Sequence, residues 1–210
     1  VPFERNRFFT GREDVLRQLE TELQSGAVAI SQAAAISGLG GIGKTQTAVE
    51  FAYRHQGDYD AVLWVGAESE LTLISGFAAL ATLLDLPEKD EVQQQLAVQA
   101  VQCWLLSNQK WLLILDNADD LPLARRFVPN GVRGHVLYTT RSGAVGQIAR
   151  KIALEKLSDD DGARLLLRRA GCENPEASPE WDEAKRISAE MGGLPLALEQ
   201  AGAYIEENFL

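Results

Sequence analysis

Over its first three quarters the chain alternates short, wholly apolar runs with longer stretches whose apolar residues recur at helical spacing. That alternation predicts strands and helices succeeding one another around a parallel sheet, an α/β class. GREDVLRQLETELQSG (11–26) puts Val15, Leu16, Leu19 and Leu23 on one helical face and stops near Gly26. QAAAISG (32–38) reads as a buried strand running into a glycine-rich turn, and KTQTAVEFAYRH (44–55) as the helix after it. AVLWVGA (61–67) is the second strand. Helical patterns follow over 70–86 and 90–108, the latter with Leu96, Ala100, Trp104 and Leu105 as a stripe and Asp90 as its cap. WLLILD (111–116), GHVLYTT (134–140) and KIALEKL (151–157) are strands three to five.

After residue 157 only helical patterns remain. SDDDGARLLLRRAG (158–171) opens with Ser158 and Asp161 in capping-box spacing and closes at Gly171. SPEWDEAKRISAEMGG (178–193) offers Ser178 as cap, Pro179 in the first turn, and Gly192 and Gly193 as the stop. LPLALEQAGAYIEEN (194–208) is the last helix. The expectation is a sheet domain over 1–157 followed by a small helical subdomain over 158–210.

Composition changes this picture little. With 46% apolar and 24% charged residues the chain is of ordinary globular type, and no apolar run is long enough to span a bilayer. The net charge of −10 argues against nucleic acid as a partner of this segment, and nothing points to a membrane. Cys103 and Cys172 lack metal or redox spacing and read as free thiols of a reducing, cytoplasmic compartment. The start at Val1 and the stop inside a helical pattern at Leu210 give the expectation of a segment cut from a longer protein.

The chemistry concentrates at strand ends. GLGGIGKT (38–45) fits G-x-x-x-x-G-K-[ST] between a predicted strand and a predicted helix, the context that this motif requires. Gly38, Gly40, Gly41 and Gly43, with Ile42 between them, let successive backbone N–H groups converge on phosphates, beside the positive end of the helix carrying Gln46. Lys44 reaches the β and γ phosphates, and the Thr45 hydroxyl is placed to hold Mg²⁺. Leu112 to Leu115 bury a strand that delivers Asp116 to the same sheet edge as a second Mg²⁺ ligand. Asn117 stands where many such enzymes have a second carboxylate, and an amide is no general base. Asp120 reads as the cap of the helix over LPLARRF, which leaves Asp119 as the candidate for activating water.

Arg141 follows the fourth strand at that edge, where its planar fork suits phosphate oxygens. Leu194 and Pro195 can offer a flat apolar platform to a base, although Pro195 equally suits a helix's first turn. The Asn-Lys-x-Asp element of guanine selection does not occur, so adenine is favoured, as ADP or ATP.

The ordered set FFTGRED (8–14), GLGGIGKT, LLILDNADD, LYTTR and GLPLA (193–197) resembles the NB-ARC family of STAND ATPases. These are the nucleotide-binding switches of plant disease-resistance receptors, animal apoptosome proteins and many tetratricopeptide-linked bacterial and fungal proteins, the last being most like the LDNADD wording here. The resemblance implies a P-loop NTPase fold, a five-stranded parallel sheet in the order 5-1-4-3-2 flanked by helices, followed by the first helical subdomain. It implies that Phe9, Gly11 and Arg12, in a segment over 1–26, wrap the adenine, that Pro195 packs near the base, and that Arg141 reads the γ phosphate. It further implies a switch that ADP keeps closed and ATP opens to self-association, with an effector before this segment and repeats after it. Asp116–Asn117 departs from the family's Asp-Asp pair and predicts slow hydrolysis, with Lys44, Asp116 and Asp119 as the catalytic set. The competing readings are a turnover ATPase or kinase and a scaffold permanently bound to ADP.

Overall fold

The computed structural model describes residues 1–24, 32–91, 93–146 and 148–209. Five strands form one sheet: β1 (Gln32–Ser37), β2 (Ala61–Gly66), β3 (Gln109–Asp116), β4 (Arg133–Thr140) and β5 (Arg150–Ala153). Their order is β2-β3-β4-β1-β5 and every pairing is parallel. Read from the other edge, this is the 5-1-4-3-2 order that the resemblance implied. The helices are α1 (Glu13–Gln24), α2 (Lys44–Arg54), α3 (Glu70–Leu83), α4 (Gln94–Ser107), α5 (Leu121–Arg126), α6 (Asp159–Arg169), α7 (Trp181–Glu190) and α8 (Pro195–Phe209).

Strand alternation splits the core in two, because successive side chains of a strand face opposite sides of the sheet. Leu113 and Leu115 join Ala35, Val136 and Tyr138 under α3, α4 and α5. Leu112 and Ile114 join Ala34, Ile36 and Leu137 under α1 and α2. Trp111 through Asp116 are all buried, so β3 is covered on both faces, as a central parallel strand must be. A third apolar cluster, with Leu157, Leu166, Ala184 and Leu198, belongs to α6, α7 and α8. Phe9 packs against the second cluster and the adjacent Phe8 against the third, so the N-terminal segment bridges sheet and helices.

Several local expectations are corrected. Gln93, not Asp90, precedes α4, since Asp90 ends a short 3₁₀ turn over Pro87–Asp90. The buried stripe of α4 is Ala97, Val98, Val101 and Leu105, with Leu96 exposed and Trp104 half-buried. A helix set over 90–108 starts four residues early, and the apolar residues of α4 are spread over more than one face, so periodicity alone does not single out the buried stripe. Ser178 ends a 3₁₀ turn, Pro175–Ala177, and Glu180 precedes α7, leaving Pro179 outside the helix. β5 stops at Ala153, where its partner β1 also ends, Ser37 lying opposite Ala153. The end of α1 near Gly26 lies outside the described residues.

Other signals hold. Ser158 Oγ accepts from the Asp161 N–H at 3.1 Å, although its hydroxyl then donates to the Asp161 carboxylate instead of completing a reciprocal box. Asp120 Oδ1 accepts from the Leu123 N–H at 3.0 Å and caps α5. No helix among the described residues is long and apolar enough to cross a membrane.

Candidate functional site

The carboxyl ends of β1, β3 and β4 open onto a cavity of about 840 Å³, lined by Gly40, Gly41, Gly43, Lys44, Thr45 and Gln46 on one side. Gly43 has φ +95°, a left-handed conformation that a side chain resists, and a Cβ built there meets only Pro195 Cγ, at 3.9 Å. The turn thus bends under local necessity while its rim stays open. Buried Lys44 donates from Nζ to the carbonyls of Gly38 and Leu39 at 2.9 and 2.8 Å, pinning its ammonium over the loop. Desolvation lowers the Lys44 pKa and the like charge of Arg141 adds to this, while Asp119 and Asp116 oppose it.

Asp116 comes from the last residue of β3, in register with Gly66 of β2. Its Oδ1 accepts from the Thr45 hydroxyl at 2.9 Å and from the Thr139 hydroxyl, so three elements meet at one buried carboxylate. A hydroxyl beside a carboxylate is a set of hard oxygen donors, the kind that Mg²⁺ takes together with phosphate oxygens. No group of three or more His, Cys, Asp or Glu side chains able to hold a metal occurs among the described residues. The Gln46 side-chain oxygen is buried without a hydrogen-bond partner in this wall, which leaves polar capacity for a ligand.

Asp119 does not stand free. Its Oδ1 accepts from the Arg141 backbone N–H at 2.7 Å and its Oδ2 from Arg141 Nε at 2.6 Å. Partial burial works to raise the Asp119 carboxyl, but these two hydrogen bonds outweigh it and hold the group below its ordinary range. The candidate base and the candidate phosphate sensor are thus partners. Asn117, at φ +59°, turns its side-chain N–H toward Glu68 Oε1 at 3.0 Å.

The base-facing expectations map to a second, narrower cavity of about 50 Å³, where Phe9, Arg12, Ile42, Gln46 and Pro195 converge. Arg12 is buried and donates to the Ile42 carbonyl at 3.2 Å, its pKa lowered by desolvation against the pull of Asp161. Gly11, at φ +72°, passes so close to α6 that a Cβ would lie 2.6 Å from Asp161 Cγ. Pro195 opens α8 and lines both cavities, whereas Leu194 packs into the apolar cluster behind them. Gly38 stands at the start of the loop, where a Cβ would lie 2.8 Å from the Leu154 carbonyl.

Sequence reasoning missed three residues of the larger cavity. Leu196 is half exposed and its N–H donates to the Gly41 carbonyl at 3.3 Å. Glu199, one helical turn beyond Pro195, lines both cavities. Glu68, two residues beyond β2, also lines this cavity. The helical spacing from Pro195 was a usable signal for Glu199, but nothing in the local sequence marked Glu68.

A glycine-rich phosphate loop between β1 and α2, on a parallel sheet of this order, defines a P-loop NTPase fold. The NB-ARC domain model matches residues 12–176, and the chain belongs to that family. It is 30% identical to a nucleotide-binding leucine-rich repeat (NLR)-like protein of Hyaloscypha variabilis, over 99% of this chain and 23% of that protein. It is 29% identical to the regulatory protein AfsR of Streptomyces griseus, over 93% of this chain and 20% of that protein. This chain therefore spans about a quarter or less of these relatives' length. In structure it is similar to a STAND protein with a tetratricopeptide repeat sensor from Pyrococcus horikoshii, with a TM-score of 0.57 at 18% identity, covering 94% of this chain and 31% of that one.

Proposed function

We propose that this chain is the adenine-nucleotide switch module of a STAND-class ATPase, binding ADP or ATP with Mg²⁺ and hydrolysing ATP slowly. One observation carries the reading: α8, which belongs to the helical block, places Pro195, Leu196 and Glu199 on the cavity that also holds Lys44, Thr45 and Gln46. A ligand between these walls touches sheet and helices at once, so its phosphate state can bias the angle between them. The domain division near residue 157 and the opening of the longer protein to self-association belong to the same reading.

Each group has a role that follows from its chemistry. The loop N–H groups and Lys44 hold the β and γ phosphates, and Thr45 and Asp116 hold Mg²⁺, whose charge would offset that of the phosphates. Arg141 is the γ-phosphate sensor. Without that phosphate its guanidinium stays on Asp119, and a γ phosphate competes for it with greater charge. Phe9, Arg12 and Pro195 flank the adenine, and opening of the narrow cavity between them accompanies binding. Two parts of this chain are then reorganised by one ligand.

The test is calorimetry with Mg·ADP and Mg·ATP. The unmutated chain binds both and Lys44→Ala binds neither; retained binding by the variant overturns the proposal.

A further inference from the structure

The strand that contains Asp116 lacks a carboxylate directly after it, but the neighbouring strand supplies one to the same place. β2 and β3 are in register to their last residues, Gly66 opposite Asp116, and the Ala67 N–H donates to the Asp116 carbonyl at 2.7 Å. The two strand ends therefore leave the sheet together. Two residues beyond β2, Glu68 turns its side chain back over Gly66, so closely that a Cβ on Gly66 would lie 2.8 Å from Oε2. Glu68 lines the same cavity as Lys44, Thr45 and Asn117.

Asn117 holds Glu68 there. The amide donates to Oε1 at 3.0 Å, which leaves Oε2 free to accept from a second donor. The Asn117 backbone is itself held, with its N–H on the Thr139 hydroxyl at 2.9 Å, and the left-handed φ of +59° is one that asparagine tolerates better than most residues. An aspartate at 117 would set two carboxylates against each other. Asn117 therefore orients a base without being one.

Asp119 is less suited to that task. It is held by Arg141 through backbone and side chain, whereas Glu68 forms no ion pair among the described residues.

We propose that Glu68 is the general base of ATP hydrolysis in this chain, positioned by Asn117. The assignment rests on the nucleotide-binding reading above. The water oxygen forms a bond to the γ phosphorus as the bond from that phosphorus to the bridging oxygen breaks, its electron pair staying on the β phosphate. The proton that the water loses passes to Glu68 Oε2 and afterwards to solvent.

The test compares unmutated chain, Glu68→Gln, Glu68→Asp and Asp119→Asn, with Mg·ATP binding by calorimetry and phosphate release over many turnovers. Gln keeps the shape and the acceptor for Asn117 but takes no proton at neutral pH, so a purely structural role would survive it. Glu68→Gln is expected to bind ATP within about threefold of the unmutated chain and to hydrolyse it about 100-fold more slowly, in line with the contribution of a general base. Glu68→Asp falls between. Hydrolysis by Glu68→Gln within about threefold of the unmutated rate, a collapse in Asp119→Asn alone, or ATP binding without hydrolysis by the unmutated chain each overturns the assignment and leaves the binding reading intact. Failure of the unmutated chain to bind ATP overturns both.

Discussion

Asp119, clasped by Arg141, lies next to Asp120 and three residues after Asp116, yet each of the three carboxylates has a different job. Asp116 is buried between two threonine hydroxyls, Asp120 caps a helix, and Asp119 binds a guanidinium. Local sequence assigns Asp120 to the helix cap and Asp116 to the metal, but gives no sign that Asp119 is held by Arg141. The clasp has a measurable consequence. Asp119→Asn removes the charge that competes with a γ phosphate for Arg141, and the pair is exposed enough that its worth is only about 1 kcal/mol. The ratio of ATP to ADP affinity is expected to rise about fivefold, and calorimetry with both nucleotides checks it. Asp116→Ala, by contrast, is expected to weaken ATP binding in Mg²⁺ at least tenfold and to leave binding in EDTA nearly unchanged, which titration under the two conditions distinguishes.

At the scale of elements, α2 is tied to the N-terminal segment and to α1 by charge. Buried Glu50 of α2 accepts from Arg5 at 2.9 and 2.8 Å and from Arg54 at 2.6 Å, and Arg54 donates in turn to Glu13 of α1. Burial works to raise the Glu50 carboxyl, but the arginine hydrogen bonds outweigh it and the folded-state value is depressed. A depressed carboxyl stabilises the fold above its unfolded value, about 4.3, and that stability is lost as pH falls through the folded-state value. Glu50→Gln is expected to cost roughly 2 kcal/mol at pH 7, and its gap to the unmutated chain in urea unfolding narrows as the pH is lowered below about 4. The sheet makes its own demand at Gly134, where a Cβ would lie 2.2 Å from the buried Trp111 ring. Gly134→Ala overpacks that contact and is expected to lower the thermal midpoint by roughly 6 to 12 °C, about 3 kcal/mol, as scanning calorimetry would record.

At the scale of the molecule, the N-terminal segment and α8 both connect sheet and helices, the former lining the narrow cavity and the latter both cavities. The native thiols are placed to report on that relation. Cys103 is exposed on α4 and partly accessible Cys172 follows α6, so one label sits on each block. If nucleotide state sets the angle between them, energy transfer between dyes on these two thiols is lower with a non-hydrolysable ATP analogue than with ADP. Equal transfer in the two states would remove the coupling from the reading while leaving nucleotide binding untouched.

The sequence alone was enough for the strands, their parallel class, the phosphate loop and the acidic strand end. These features are written in short-range patterns: apolar runs, glycines at fixed spacing, a lysine and a threonine before a helix. The family's strand order came with the resemblance, since adjacency in a sheet involves residues far apart in the chain. Placement of α4 slipped because its apolar residues are not confined to one face, and no local cap marked the true start at Gln94. The Asp120 cap was legible locally, but the partners of Asp116 and Asp119 were decided only by tertiary structure, because Thr139 and Arg141 come from β4 and the residue just after it. Asn117 looked from the sequence like a missing carboxylate. The register of β2 against β3 brings Glu68 to its side, a juxtaposition 49 residues apart that only the folded sheet creates.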